Sequence, residues 1–109
     1  MTDYQEIVST MQQFPGVSGV AIVNNAGQLQ NSSIANPAPE LASVASQVFS
    51  NIGVQLKRMQ RGVSQRLVLE TENGITLLSG LSSGELLIVF ASVVDGFNLS
   101  QLLDTAARF

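Results

Sequence analysis

A chain of 109 residues, 45% of them apolar, holds enough material for one hydrophobic core and too little for two. Only 12% of it is charged, against about 25% in an average domain, so uncharged polar groups or a partner must cover much of the surface. A net charge of -3 leaves no electrostatic footprint for nucleic acid, and the lack of cysteine removes disulfides and thiol nucleophiles and fits a reducing cytoplasm.

Residues 3–14 carry Tyr4, Ile7, Val8 and Met11 at helical spacing, which predicts a short amphipathic helix capped by Thr2 or Asp3 and stopped by Pro15 and Gly16. This opening is acidic, with no basic segment leading into an apolar run, so no secretory signal is expected. Residues 17–24 then alternate as a strand, Val20 and Ile22 on one face and Gly19, Ala21 and Val23 on the other. Asn25, Ala26 and Gly27 make a tight turn into a short strand over 28–33, whose Gln, Asn and Ser content suits a sheet edge.

The longest amphipathic stretch spans residues 40–59. Leu41, Val44, Ala45, Val48, Phe49, Ile52, Leu56 and Met59 recur on one stripe of a helix. Asn36 is its expected cap, with Pro37 at the first helical position and Pro39 in the first turn. The stripe's margin is Ser43, Ser46, Gln47, Ser50, Asn51 and Gln55, groups that lie against a second protein at lower desolvation cost than Lys or Glu. That weakly charged flank points to a subunit contact. Lys57, Arg58 and Arg61 set positive charge at the helix end, and Gly62 is the expected terminator.

Residues 64–71 alternate again, with Leu67, Leu69 and Thr71 on one face and Arg66, Val68 and Glu70 on the other. Asn73-Gly74 predicts a type I′ hairpin to a strand over 75–81, and Ser82, Ser83 and Gly84 turn the chain once more. Residues 86–94 are too apolar for an edge and belong in the sheet interior; that run is far short of the roughly 18 residues of a membrane span. Asn98 caps a last helix with Leu99, Leu102, Leu103, Ala106 and Phe109 on one side. The result is an α+β domain over residues 1–109, ordered helix, two strands, helix, three strands, helix. Its mainly antiparallel five-stranded sheet carries the long helix on one face and the terminal helices on the other.

Catalytic groups are sparse. Without His or Cys, the commonest general base and the soft metal ligands are missing, and no paired-carboxylate, nucleophile-elbow or phosphate-loop pattern occurs. No enzyme activity, metal or cofactor is therefore expected. Lys57, Arg58, Arg61 and Arg66 form the one charge cluster. They solubilise a shoulder or grip carboxylates on a partner protein, since guanidinium groups pair bidentately.

The run Gly16-Val17-Ser18-Gly19-Val20-Ala21-Ile22-Val23-Asn24-Asn25-Ala26-Gly27, the long helix from Glu40, and the closing strand Leu86-Leu87-Ile88-Val89-Phe90 with its capped helix resemble the Roadblock/LC7 family. That family takes in dynein light chains and bacterial MglB-type proteins, and the likeness extends from Tyr4 to Ala107. It implies a dimer in which the central helices pack together and the strand after them pairs edge to edge. On this chain the contact would draw on Val44, Gln47, Val48, Asn51 and Gln55 with Leu67 and Leu69. The resemblance further implies a non-catalytic adaptor or regulator that binds a Ras-like small GTPase, without membrane insertion. A homodimeric scaffold for other proteins is the alternative. A small-molecule sensor of PAS-like or profilin-like shape is a third reading, and it would require an enclosed pocket.

Overall fold

The computed structural model describes residues 3–109. Its elements are α1 (Tyr4–Gln12), β1 (Val17–Val23), β2 (Leu29–Ser32), α2 (Leu41–Arg58), β3 (Arg66–Thr71), β4 (Gly74–Gly80), β5 (Leu86–Ala91) and α3 (Leu99–Ala106). The five strands form one sheet in the order β2-β1-β5-β4-β3, and every ladder is antiparallel. The expected element order and fold class are therefore those of the molecule. The apolar β5 lies in the middle of the sheet, and the polar β2 and the mixed β3 are its two edges.

Strand alternation sorts the core into two layers. Val20, Ile22, Leu77, Leu87 and Val89 pack beneath α1 and α3, against Ile7, Val8, Met11, Leu102 and Ala106. Ala21, Val23, Leu78, Leu86 and Ile88 face the other way, toward Ala45, Val48 and Phe49 of α2. Both layers contain fully enclosed aliphatic side chains, which is where the hydrophobic stabilisation concentrates. The small side of β1 admits a loop as well as a helix. A Cβ on Gly19 would stand 2.7 Å from Ile34 Cγ1, so this glycine makes room for the segment leading into α2.

The outer helices begin as their sequences dictate. The Asp3 and Asn98 side chains each accept an N–H from three residues ahead, Glu6 and Gln101. Thr2, the other expected cap of α1, lies outside the described residues. At the β1–β2 turn, the Asn24 side chain accepts the N–H groups of Ala26 and Gln28, while Gly27 takes φ 77°.

Three expected boundaries are corrected. Asn36 does not cap α2, and Pro37 and Pro39 lie before the helix. The Leu41 N–H first reaches Ala38 O, and the cap position is Glu40, whose side chain makes no capping bond. The long helix is thus 18 residues, about 27 Å. Gly62 does not terminate it. Arg61 N–H returns to Leu56 O and Gln60 N–H to Lys57 O, a Schellman closure with Gln60 itself at φ 60°. The β3–β4 hairpin turns on Glu72 and Asn73, because Thr71 pairs with Gly74. Asn73 does not take the positive φ of a type I′ turn, and its N–H is held by Thr71 Oγ1. Gly74, at φ 125°, is needed for a different reason: a Cβ there would lie 2.4 Å from Ala91 O.

Candidate partner-binding surface

α2 spans the sheet but is only lightly buried by it. Ala45 alone among its residues is buried. Phe49 reaches Gly80 at the end of β4, and after the Schellman turn the chain doubles back to set Ser64 against Gly53. The apolar stripe expected to be covered is in fact split. Leu41, Val48, Phe49 and Leu56 are half-buried, whereas Val44 is 47% exposed, Ile52 38% and Met59 66%. The reason is geometric: α2 lies above the middle of the sheet and leaves its outer shoulder open on the β3 side.

That opening is a groove of about 320 Å³ between α2 and strands β3, β4 and β5. Leu41, Val44, Ala45 and Val48 form one wall; Leu69, Thr76, Leu78, Ile88 and Phe90 form the floor and far wall. Among the expected contact residues, Val44, Val48 and Leu69 are brought together here. Leu67 packs half-buried into the α2-side core beside them. Gln47 and Asn51 are placed elsewhere. With Ser43, Ser46 and Ser50 they line a separate polar hollow against Asn25, Ala26 and Gly27. A Cβ at Gly27 would touch Ser43 Cα at 3.4 Å, so part of the uncharged flank is matched to this chain's own β1–β2 turn. Gln55 is exposed and accepts a bond from Arg58 at 3.4 Å.

Of the basic cluster, Lys57 and Arg58 sit in the last helical turn and Arg61 just beyond the cap, all exposed, beside carbonyls that favour positive charge. Arg66 opens β3, its guanidinium bonded to Gln65 Oε1 at 3.3 Å. Val54, Val63 and Val68 are also exposed, at 53%, 72% and 40%. A lone valine outside the helical stripe carries no periodic signal. Val68, however, was legible in the alternation of β3, as the apolar member of the row with Arg66 and Glu70.

At the β4–β5 turn, Tyr4 donates to Glu85 at 2.5 Å and Ser83 donates to the other oxygen of the same carboxylate. These bonds hold the Glu85 carboxyl below its ordinary range, Ser83 contributing most and Tyr4 next. The same Tyr4–Glu85 bond raises the phenol. The group ties α1 to the β4–β5 turn. Among the described residues no set of three or more His, Cys, Asp or Glu could hold a metal ion, and no helix is long and apolar enough to cross a membrane.

The family model for the Roadblock/LC7 domain matches residues 3–91, most of the chain. The chain belongs to the Roadblock/LC7 family. Its fold is similar to a Roadblock/LC7 domain from Streptomyces avermitilis, with TM-score 0.82 and 21% identity over 98% of this chain and 91% of that one. It is likewise similar to Myxococcus xanthus MglB, with TM-score 0.77 and 15% identity over 98% and 90% of the two chains. The gliding protein MglB of Thermus thermophilus gives TM-score 0.75 and 15% identity over 95% and 80%. Comparison with curated proteins gave no match. At 15–21% identity, the likeness to these solved structures is one of fold.

Proposed function

We propose that this Roadblock/LC7 chain is a dimeric, non-catalytic adaptor or regulator that binds a Ras-like small GTPase through a composite helix–sheet surface. The observation that carries the dimer is the open shoulder, where Val44 and Leu69 stand 47% and 39% exposed beside an apolar groove and an unpaired sheet edge. Apolar surface gathered next to free strand hydrogen-bonding groups is what a mate removes from water. In the dimer, the α2 helices pack along Val44, Val48 and Gln55, and the β3 edges join the two sheets, burying Leu67 and Leu69. Gln47 and Asn51 sit at the polar margin of that contact, next to the β1–β2 turn.

The GTPase as partner follows from the family's association with such proteins. Lys57, Arg58 and Arg61 then supply cations for acidic side chains of the partner, clear of the groove. A sensor reading fits less well, because the groove is open to solvent and both core layers are filled with enclosed side chains. Pull-down against GTP-loaded and GDP-loaded Ras-like GTPases from the same cell tests the partner. Retention that depends on the bound nucleotide is the expected result. Failure to retain either form contradicts regulation of those GTPases, and binding indifferent to nucleotide marks a scaffold instead.

A further inference from the structure

The outer strand β3 leaves half of its backbone groups unused, and the register says which half. Gly80 donates its N–H to Gln65 O at 3.0 Å, so Gln65 turns its carbonyl inward to β4. Pairing then runs without a bulge from Arg66↔Ser79 to Thr71↔Gly74. By alternation Leu67, Leu69 and Thr71 also bond inward, and Arg66, Val68 and Glu70 direct their N–H and C=O groups away from the sheet. The side chains of these three share the α1–α3 face, since Val68 pairs with Leu77 of that core layer.

A second β3, antiparallel to the first, satisfies those groups only where outward residues meet outward residues. Five symmetric registers do so within the strand. Centred on Arg66 or on Glu70, the pair sets like charges face to face. Centred on Leu67, it leaves Arg66 opposite a valine. Centred on Leu69, it sets Glu70 opposite Val68 and moves Arg66 against Glu72, which lies in the turn past the end of β3. Centred on Val68, it places Arg66 opposite the second copy's Glu70 at both ends and valine against valine on the axis. In that register Leu67 also meets the second copy's Leu69 on the α2 side, so the floor of the groove continues across the junction.

We infer that β3 is a self-complementary strand whose occupant is a second copy of this chain, paired in the register centred on Val68 and selected by reciprocal Arg66–Glu70 contacts. The inference rests on the dimer proposed above, and it reassigns Arg66 from gripping a third protein to recognising its own mate.

Charge reversal tests it by sedimentation of the full chain at low salt, where such pairs count most. Arg66→Glu and Glu70→Arg should each weaken self-association by roughly tenfold, because each turns two attractive pairs into two repulsive ones. The double variant should recover wild-type affinity, and a 1:1 mixture of the two single variants should form heterodimers in preference to either homodimer. Single variants that dimerise like wild type, or a double variant as weak as the singles, would overturn the register while leaving the dimer standing. A wild-type chain that is monomeric throughout would instead remove the dimer and the register with it.

Discussion

Gln60 carries the cost of ending α2. It is the sole described non-glycine residue with positive φ, a conformation that costs an L-residue roughly 1–2 kcal/mol. Gln60→Gly is expected to stabilise the fold by about 0.5–1 kcal/mol, read as a raised urea midpoint; glycine's greater freedom when unfolded offsets part of the gain. Gly74 has the opposite status. Its φ of 125° and the 2.4 Å approach to Ala91 O leave no room for a methyl group, so Gly74→Ala should cost about 2 kcal/mol or more in the same measurement. Glu85 links stability to pH. Its folded pKa lies below the ordinary value of 4.5, so its contribution is present above that value and is lost as the pH falls through the folded one. Tyr4, raised above its ordinary value of 10.0, contributes stability present below that value and lost as the pH rises through the folded one. Glu85→Gln should therefore lower stability at neutral pH and converge on wild type as the pH falls below 4.5. A gap that persists in acid would show that the carboxylate charge is not what the bonds of Tyr4 and Ser83 stabilise.

Elements were legible where a local pattern and a tertiary need agreed. The small and large faces of β1 fit different layers, the apolar run of β5 needs cover on both faces, and Asn98 supplies the N–H acceptor that starts α3, so each of these had one placement. The ends of α2 were less legible. Pro37 suits a first helical turn by its φ, but here a turn closed by Ala38 O sits between it and the helix. At the other end glycine was the plausible terminator, whereas the chain accepts a strained glutamine two residues earlier. Periodicity marked the apolar stripe of α2 but not how far it is covered, since that depends on where the helix lies across the sheet. Val44 shows the difference. Because it is 47% exposed, Val44→Lys should change folding stability by no more than about 0.5 kcal/mol, while weakening self-association at least tenfold. Leu102, fully enclosed in α3, is the contrasting case, and Leu102→Ala should destabilise by about 2–5 kcal/mol. Of the expected contact residues, Val44, Val48 and Leu69 line the groove, whereas Gln47 and Asn51 line a hollow beside the β1–β2 turn, a juxtaposition of segments remote in the chain that periodicity does not carry.

For the molecule as a whole, one sheet divides two core layers, and the layers are closed to different degrees. Two helices cover the α1–α3 side, whereas a single helix leaves the α2 side with an apolar groove and a free edge strand. The proposed mate would account for both the low charge of the chain and that open shoulder. Sedimentation equilibrium of the wild-type chain between about 1 and 100 μM tests this most directly, because micromolar dissociation corresponds to roughly -8 kcal/mol. A concentration-dependent shift to twice the 11.6 kDa chain mass is the predicted result. A single species of chain mass across the whole range would contradict it.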